Sequence, residues 1–293
     1  MKILITGSKG QLGTELQDII KTGKAEIGSI TKIIGESKVI SLDIDELDIT
    51  NLIEVRKKIY NIRPDVLINC AAATNVDACE SNEYLAFKVN SIGPRNLAIA
   101  CEEVNSKLVQ ISTDYVFSGE GDRPLAEYDI TAPYNVYGKT KLLGENYVRE
   151  FSSKYFIVRT AWLYGRAGNN FVYTIKALGK EKNYVKVVND QRGNPTNAND
   201  LAYHILKLIE TDEYGVYHCT GKGECTWFEF AKMIIKLSGE KCEIKPCTSE
   251  EYKSPTKRPK YSSLDNMMLR NTIGDEMRYW QDALKSFVEK LEK

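Results

Sequence analysis

The N-terminus of the chain has the sequence pattern that most restricts its possible folds: a strand, a glycine-rich turn and a helix. Residues 2–6 form a short apolar run, residues 14–20 have a helical pattern, and Gly7, Gly10 and Gly13 lie at or between them. Glycine permits a tight turn and a close approach of phosphate to the backbone, and the amides at a helix N-terminus attract negative charge. Although the usual spacing is G-x-G-x-x-G, we expect this segment to bind a dinucleotide.

Further apolar runs and helical patterns alternate through the first 160 residues. The apolar runs lie at 38–42, 66–74, 108–111 and 156–160, and the helical patterns at 51–61, 82–104 and 137–151. This alternation is typical of a doubly wound parallel sheet, so we predict a Rossmann-type α/β fold. We expect an NAD(P)-binding domain over residues 1–160 and a smaller α/β region over 161–293, whose strands can return to the first domain. In that region, strands are predicted at 184–188 and 215–218, and helices at 198–210 and 227–237.

Candidate contacts to the adenosine end of a dinucleotide follow the second apolar run. Asp43 can hold a ribose hydroxyl, although it lies 30 residues beyond Gly13 instead of roughly 20. Asp48 and Ile49 can flank the adenine, but Asp48 and Thr50 would also serve as caps for the next helix. We predict that Asp43 is the ribose ligand.

Small residues at the end of the run at 66–74 are a second group of candidate contacts. Ala71, Ala72 and Thr74 would let a cofactor lie against the backbone, at the strand ends where ligands bind in open parallel sheets. A loosely packed alanine turn without a ligand is the alternative.

A tyrosine and a lysine stand four residues apart in the predicted helix at 137–151. On a helix, this spacing puts Tyr137 and Lys141 one turn apart on the same face. A neighbouring ammonium group favours the phenolate and lowers the pKa of the tyrosine, which suits it to give a proton to a carbonyl oxygen. Thr113, at the carboxyl end of the run at 108–111, can hydrogen-bond the same oxygen. These three residues are the catalytic candidates.

Together, these motifs resemble those of the extended short-chain dehydrogenases/reductases and, more narrowly, of the dTDP-4-dehydrorhamnose reductases. The resemblance spans nearly the full length of the chain. It rests on Gly7–Gly13, Asn69–Thr74, Ser112–Phe117, Tyr137–Lys141, Arg159–Gly165, Gly168–Phe171, Asn189–Thr196, and Arg258–Pro259 with Ser262.

The resemblance implies an enzyme that uses NADPH or NADH to reduce dTDP-4-dehydro-L-rhamnose at its C4 ketone, giving dTDP-L-rhamnose. It implies that residues 161–293 close over the nucleotide-sugar. The implied cofactor contacts are Gly7, Lys9, Gly10, Gln11, Leu12, Gly13, Asp43, Asp48, Ile49, Ala71, Ala72, Thr74, Tyr137 and Lys141. The implied substrate contacts are Thr113, Asp114, Tyr115, Trp162, Asn170 and Arg258.

Arg258 is also a candidate on chemical grounds. It lies in the basic segment Lys257-Arg258-Pro259, and the planar guanidinium of arginine matches phosphate oxygens better than a lysine does. We expect it to clamp the pyrophosphate of the substrate. A basic loop that only faces solvent is the alternative.

Metal binding and two other functions are alternatives to this interpretation. Some members of the family bind magnesium through glutamates at a dimer contact, and Glu15 matches one such position, but the others are unmatched and we predict no metal. An NDP-sugar epimerase or dehydratase of the same superfamily is an alternative, because Asp114 follows Thr113. A non-catalytic regulatory subunit is another, although intact Thr113, Tyr137 and Lys141 argue against it.

Composition disfavours several further classes of protein. Forty basic residues balance forty acidic ones, so neither nucleic acid nor a membrane surface is expected as the main partner. No apolar run approaches about 18 residues and no signal-peptide pattern is present, so we expect a cytoplasmic protein, either monomer or homodimer. The seven cysteines lack metal-site spacing and are expected to be free thiols. His218 lies in a strand pattern and is expected in the core.

Overall fold

A parallel sheet flanked by helices forms the centre of the protein in the computed structural model, which describes residues 1–291. The strands are β1 (Lys2–Thr6), β2 (Lys38–Leu42), β3 (Val66–Asn69), β4 (Lys107–Thr113), β5 (Tyr155–Thr160), β6 (Leu163–Tyr164), β7 (Tyr184–Val188), β8 (Arg192–Gly193), β9 (Thr196–Asn197), β10 (Gly215–His218), β11 (Cys225–Thr226) and β12 (Glu243–Cys247).

The helices alternate with these strands. They are α1 (Gln11–Thr22), α2 (Lys32–Gly35), α3 (Leu52–Ile62), α4 (Val76–Ser81), α5 (Glu83–Phe87), α6 (Gly93–Glu103), α7 (Val136–Phe151), α8 (Phe171–Glu181), α9 (Ala198–Leu208), α10 (Trp227–Ser238), α11 (Ser249–Tyr252), α12 (Met267–Thr272) and α13 (Trp280–Leu291). A π-helical turn covers Lys88–Ile92, and a 3₁₀ turn covers Asp114–Val116. Among the helices of residues 1–291, none has the length and apolar character needed to cross a bilayer.

The six strands of the central sheet lie in the order β2–β1–β3–β4–β5–β10 and are all parallel. From β1 the chain moves outward to β2 and then returns to the other side of β1 as β3. The strand order therefore reverses between β1 and β3, and ligands bind at the carboxyl ends of the strands at such a point. The predicted doubly wound α/β class is confirmed.

Both faces of this sheet are covered by helices. Ile3 and Ile5 of β1 pack in one apolar cluster with residues of α1 and α9, whereas Leu4, between them, packs with residues of α3 and α6 on the other face. Successive side chains of a strand point to opposite faces, so a strand buried on both faces is apolar at every position. This explains the uninterrupted apolar run at residues 3–5.

The second half of the chain contributes to two places. Its strand β10 pairs with β5 and extends the central sheet, while β7 and β12 form a separate parallel pair. Helices α8, α10 and α13 enclose a third apolar cluster that includes Phe230 and Phe287. The strands and helices expected in this half are therefore present, and the division into domains at residue 160 stays a prediction.

Two local expectations need correction. The helix predicted at 82–104 is interrupted by the π-helical turn. This turn lies close to α7, because the carbonyl oxygen of Asn90 would lie only 2.2 Å from a Cβ added at Gly144. The cap of α3 is Asn51, whose side chain accepts hydrogen bonds from the amides of Ile53 and Glu54 at 3.1 and 3.3 Å. Asp48 and Thr50 were alternative caps, but α3 starts at Leu52, so Asn51 occupies the cap position and Asp48 accepts from the amide of Thr50 instead.

A buried ion pair attaches α7 to the sheet. The Arg159 guanidinium of β5 donates from Nε and Nη2 to both oxygens of Glu145, at 2.9 and 2.8 Å. Ser112 of β4 donates to the same carboxylate at 2.5 Å, and Arg149 at 3.0 Å. Arg159 also lies 3.4 Å from Nε2 of His218, which is fully buried in β10 as expected for a core residue. The Glu145 carboxylate thus connects α7 with β4 and β5, and Arg159 extends the contact to β10.

Replacing Glu145 with alanine is expected to lower the free energy of unfolding by about 3–5 kcal/mol, because it leaves the Arg159 guanidinium buried without its partner. Urea unfolding followed by circular dichroism measures the change. Glu150→Ala, on the exposed side of the same helix, is the control and should change stability by less than about 0.5 kcal/mol. Equal unfolding midpoints for the two variants would contradict the structural role of Glu145.

Candidate active site

A cavity of about 510 Å³ opens at the carboxyl ends of β1, β3, β4 and β5. It lies at the point where the strand order reverses, as the doubly wound fold predicts. Many of the predicted site residues line it. These are Gly10, Gln11, Leu12, Ala71, Ala72, Thr74, Thr113, Asp114, Tyr115, Tyr137, Lys141 and Trp162.

The glycine turn brings its backbone against this cavity. Gly7 has φ +64°, and a Cβ added there would lie 2.6 Å from the amide nitrogen of Ala71. A Cβ at Gly13 would lie 2.6 Å from the carbonyl oxygen of Gly7, so only glycine fits at either position. Helix α1 starts after Gly10 without a side-chain cap, which leaves its first amides for a phosphate group. The turn fits the pyrophosphate of a dinucleotide.

Asp43 lies beside this turn and Lys9 lies within it, and neither lines the cavity. The Asp43 carboxylate accepts hydrogen bonds from the amides of Lys9 at 3.0 Å and Ile44 at 2.9 Å. The Lys9 ammonium forms an exposed ion pair with Asp45 at 3.0 Å. Asp43 therefore holds the glycine turn and places a negative charge next to it, whereas the charge of Lys9 is directed to Asp45.

Asp48 and Ile49 also lie outside the lining. Asp48 accepts a hydrogen bond from the amide of Thr50 at 2.9 Å, and the buried Ile49 side chain packs against Gly93 of α6. A ligand contact at the adenine end stays a prediction for both residues.

The start of α7 positions the tyrosine. Asn135 caps the helix by accepting from the amide of Gly138 at 2.8 Å. A Cβ added at Gly138 would lie 2.1 Å from the carbonyl oxygen of Tyr115, so glycine at this position lets α7 lie directly against the turn that follows β4. The rings of Tyr137 and Tyr115 consequently meet edge to face, with centroids 5.5 Å apart. Tyr137 is thereby brought next to Thr113, at the end of β4.

The environment keeps the Tyr137 phenol protonated. Burial raises its pKa above the ordinary value; the Thr113 hydroxyl opposes this rise and the Asp114 carboxyl adds to it. The Lys141 ammonium donates to the carbonyl oxygen of Ile111 at 2.6 Å, and burial lowers the pKa of this lysine to about 8. We expected Lys141 to lower the tyrosine pKa, but the largest influence on Tyr137 is the cost of burying a phenolate, which raises its pKa instead. The phenol therefore retains its proton for donation.

Asp114 is a buried carboxyl group in the wall of the cavity. Burial raises its pKa to about 6, against the stabilising influence of the Ser262 and Thr113 hydroxyls. Its Oδ1 accepts from Thr113 at 3.0 Å. Ser262 is near enough to stabilise the charge but completes no hydrogen bond to Oδ2, which is buried without a partner. A buried oxygen in this position is available to a polar group of a ligand.

Two tryptophans form part of the cavity wall. Trp162 has φ +45°, a backbone conformation that costs a non-glycine residue about 1–3 kcal/mol. Its ring stacks on that of Trp227, with centroids 3.6 Å apart and planes 9° apart, and both residues line the cavity. Sequence reasoning missed Trp227, because 65 residues separate it from Trp162 and its position at the start of a predicted helix carried no functional signal.

Asn170 and Arg258 are not part of the lining. Asn170 caps α8 through Tyr173 and donates to Gln11 at 3.2 Å, so it fastens α8 to the start of α1; its neighbour Asn169 lines the cavity instead. Arg258 forms an ion pair with Asp77 at 3.4 Å. Its charge also opposes the burial that raises the pKa of Tyr115, which places the guanidinium near the cavity wall.

The remaining missed residues are sequence neighbours of predicted ones. They line the cavity because the strand ends and loops that carry the predicted residues continue through them. They are Asn69, Cys70, Val76, Ile111, Ser112, Thr160, Ala161, Leu163, Gly168 and Asn169.

The Glu15 carboxylate, which matches a magnesium-binding position of the family, has partners within the protein. The buried Glu15 carboxylate accepts from Arg166 at 2.7 Å and Asn199 at 2.8 Å. In the part of the chain that the structure describes, no group of three or more histidine, cysteine, aspartate or glutamate residues could hold a metal ion. All seven cysteines are free thiols. Burial lowers the pKa of His218 to about 3, so this residue is neutral in the core.

Known proteins resemble this chain over its full length. The RmlD substrate binding domain family matches residues 1–293. A crystal structure of a dTDP-4-dehydrorhamnose reductase from Clostridium acetobutylicum is 50% identical, covers 100% of both chains and superposes with a TM-score of 0.94. A dTDP-4-dehydrorhamnose reductase from Bacillus anthracis, solved in complex with NADP, is 43% identical, with 99% of both chains covered and a TM-score of 0.92.

A curated relative agrees with these structures. The dTDP-4-dehydrorhamnose reductase of Streptomyces griseus is 40% identical over 288 residues, which cover 96% of this chain and 91% of that protein. The resemblance inferred from the motifs is confirmed. The protein belongs to the dTDP-4-dehydrorhamnose reductase family, which is described by the RmlD substrate binding domain.

Proposed function

We propose that the protein is a dTDP-4-dehydrorhamnose reductase, which uses NADPH or NADH to convert dTDP-4-dehydro-L-rhamnose to dTDP-L-rhamnose. The observation that carries this proposal is the meeting of Thr113, Tyr137 and Lys141 in one cavity with the glycine turn. The names of the relatives and the NADP in the Bacillus anthracis structure support it.

The glycine turn would hold the pyrophosphate of the cofactor on the amides of α1, and Ala71 and Ala72 would leave room for it against β3. When bound, the reduced nicotinamide supplies the hydride for the C4 ketone. Tyr137 donates a proton to the ketone oxygen as negative charge develops there. Its raised pKa keeps the proton available, and the Thr113 hydroxyl, turned away from Asp114, would orient the ketone through a hydrogen bond.

Lys141 has a second role in this arrangement. Its ammonium is held at the end of β4 by the Ile111 carbonyl and, in the proposed complex, would bind the nicotinamide ribose. In the proposed complex, a positive charge at this position would also lower the free energy of forming a phenolate on the neighbouring Tyr137 during proton transfer. Trp162 and Asp114 would contact the sugar. We further propose a cytoplasmic monomer or homodimer without a nucleic acid or membrane partner.

An assay with purified protein separates this function from its alternatives. A reductase oxidises one NAD(P)H for each dTDP-4-dehydro-L-rhamnose. An NDP-sugar epimerase or dehydratase restores its cofactor in each cycle, and a regulatory subunit lacks turnover, so neither gives net oxidation. The absence of net oxidation with this substrate would contradict the proposal.

Replacing Tyr137 with phenylalanine keeps the ring and removes the proton. Turnover is expected to fall roughly 10²- to 10⁴-fold while cofactor affinity stays near that of the wild type. Steady-state kinetics and calorimetry with NADPH measure the two quantities. Tyr134→Phe, three residues earlier and outside the cavity lining, is the matched control and should retain turnover. Wild-type turnover in Tyr137→Phe would rule out this tyrosine as the acid.

Replacing Asp43 with alanine removes a negative charge beside the glycine turn, where it would repel a 2′-phosphate. The ratio of kcat/KM for NADPH to that for NADH should rise roughly fivefold, equivalent to about 1 kcal/mol of repulsion. Glu54→Ala, which removes the same charge at an exposed position of α3, should leave the ratio unchanged. The same ratio in both variants would show that Asp43 is not the ribose ligand.

Replacing Arg258 with alanine tests the pyrophosphate clamp. KM for the nucleotide-sugar is expected to rise roughly 10- to 100-fold with a smaller change in kcat, because the contact is remote from C4. The control is Lys257→Ala, in which the exposed neighbouring charge is removed. Kinetics, together with calorimetry of dTDP binding, measure the effect. Unchanged KM and dTDP affinity in Arg258→Ala would assign this arginine to the solvated loop.

A further inference from the structure

The stacked tryptophans join the two halves of the chain at the cavity. Trp162 follows β5 of the central sheet, whereas Trp227 is the first residue of α10 in the second half. Their rings are nearly parallel and 3.6 Å apart, and both line the cavity. This part of the cavity wall is thus assembled from elements that are distant in sequence.

Trp162 depends on its surroundings for its position. Its φ of +45° is one that side-chain-bearing residues rarely adopt, so contacts must hold it there. On one side, a Cβ added at Gly193 would lie 2.7 Å from the indole, so that residue leaves just enough room for the ring. On another side the ring meets Trp227, which is itself backed by Phe171 with centroids 4.5 Å apart.

Exposure distinguishes Trp227 from the aromatic residues that only fill the core. Phe230, one turn later in α10, is 1% exposed, whereas Trp227 remains partly exposed and lines the cavity. A capping box fixes the start of this helix: the Thr226 side chain accepts from the amide of Glu229, and the Glu229 side chain accepts from the amide of Thr226. The backbone that carries Trp227 is therefore well anchored.

We propose that Trp227 is a positioning residue that holds the Trp162 indole in place as the surface for the sugar of the nucleotide-sugar. This inference rests on the proposed function. A deoxysugar presents C–H groups and a methyl group on one face of its ring, and a flat indole is complementary to such an apolar face. In the proposed complex the pyrophosphate binds Arg258, which is outside the cavity lining, so Trp227 would contribute to affinity for the sugar and not to affinity for dTDP.

The experiment compares the affinities of dTDP-L-rhamnose and dTDP by calorimetry. In Trp227→Leu, the affinity for dTDP-L-rhamnose should fall roughly tenfold, the equivalent of losing an aromatic contact, while the affinities for dTDP and NADPH stay within about twofold. Phe228→Leu makes the same kind of change at the next position of α10, outside the cavity lining, and should leave all three affinities unchanged.

Circular dichroism tests the stack independently of ligands. Two stacked indoles give a coupled signal, which should disappear in Trp227→Leu and persist in Phe228→Leu. Trp227→Phe retains a ring; its affinity for dTDP-L-rhamnose should lie between those of wild type and Trp227→Leu, and this milder variant replaces the leucine variant if that does not fold.

Two results would overturn the inference. One is an unchanged ratio of the two nucleotide affinities in Trp227→Leu and Trp227→Phe. The other is a parallel loss of dTDP, dTDP-L-rhamnose and NADPH binding, which would show that Trp227 only supports the fold. If wild-type protein binds neither nucleotide, the proposed function fails, whereas the coupled signal still reports whether the indoles are stacked.

Discussion

The bidentate ion pair between Glu145 and Arg159 sets the position of α7 on the sheet, because neither charge can be left alone where water is excluded. Tyr137, Lys141 and Glu145 follow one another at four-residue intervals, so a single stripe of α7 carries the proton donor, the cation and the anchor. Because Glu145 is held against β4 and β5, the positions of Tyr137 and Lys141 at the strand ends are determined as well. The chemistry of the cavity thus depends on a contact that lies outside it.

Close backbone approach complements that anchor. Gly138 allows α7 to touch the turn after β4, and Gly144 allows it to touch the π-helical turn at Asn90. Asn90 and Ser91 of that turn hydrogen-bond to Thr140, between the tyrosine and the lysine. A side chain at either glycine would push the helix outward and separate Tyr137 from Thr113. The ion pair attracts the helix to the sheet, and the lack of side chains at Gly138 and Gly144 determines how closely the helix approaches.

Local chemistry made much of the fold and part of the candidate site predictable. Strand, glycine turn and helix are encoded within a few residues of each other, and the Tyr137–Lys141 spacing already defines one helix face. Side-chain contacts between distant segments were not predictable: nothing near Trp227 indicates its stack with Trp162, and nothing near Asn170 indicates that its side chain reaches Gln11. The pKa of Tyr137 was misjudged for the same reason, because burial is a property of the whole fold.

The pairing of β10 with β5 makes the two halves of the chain interdependent during synthesis. Until residues 215–218 have emerged from the ribosome, β5 is an open edge whose backbone amides and carbonyls have no strand partner on that side. The nascent first half is therefore a template for pairing with other chains, and an isolated fragment ending near residue 160 would carry the same aggregation-prone edge. Pairing with β10 covers this side of β5 and leaves β2 and β10 as the edge strands of the sheet.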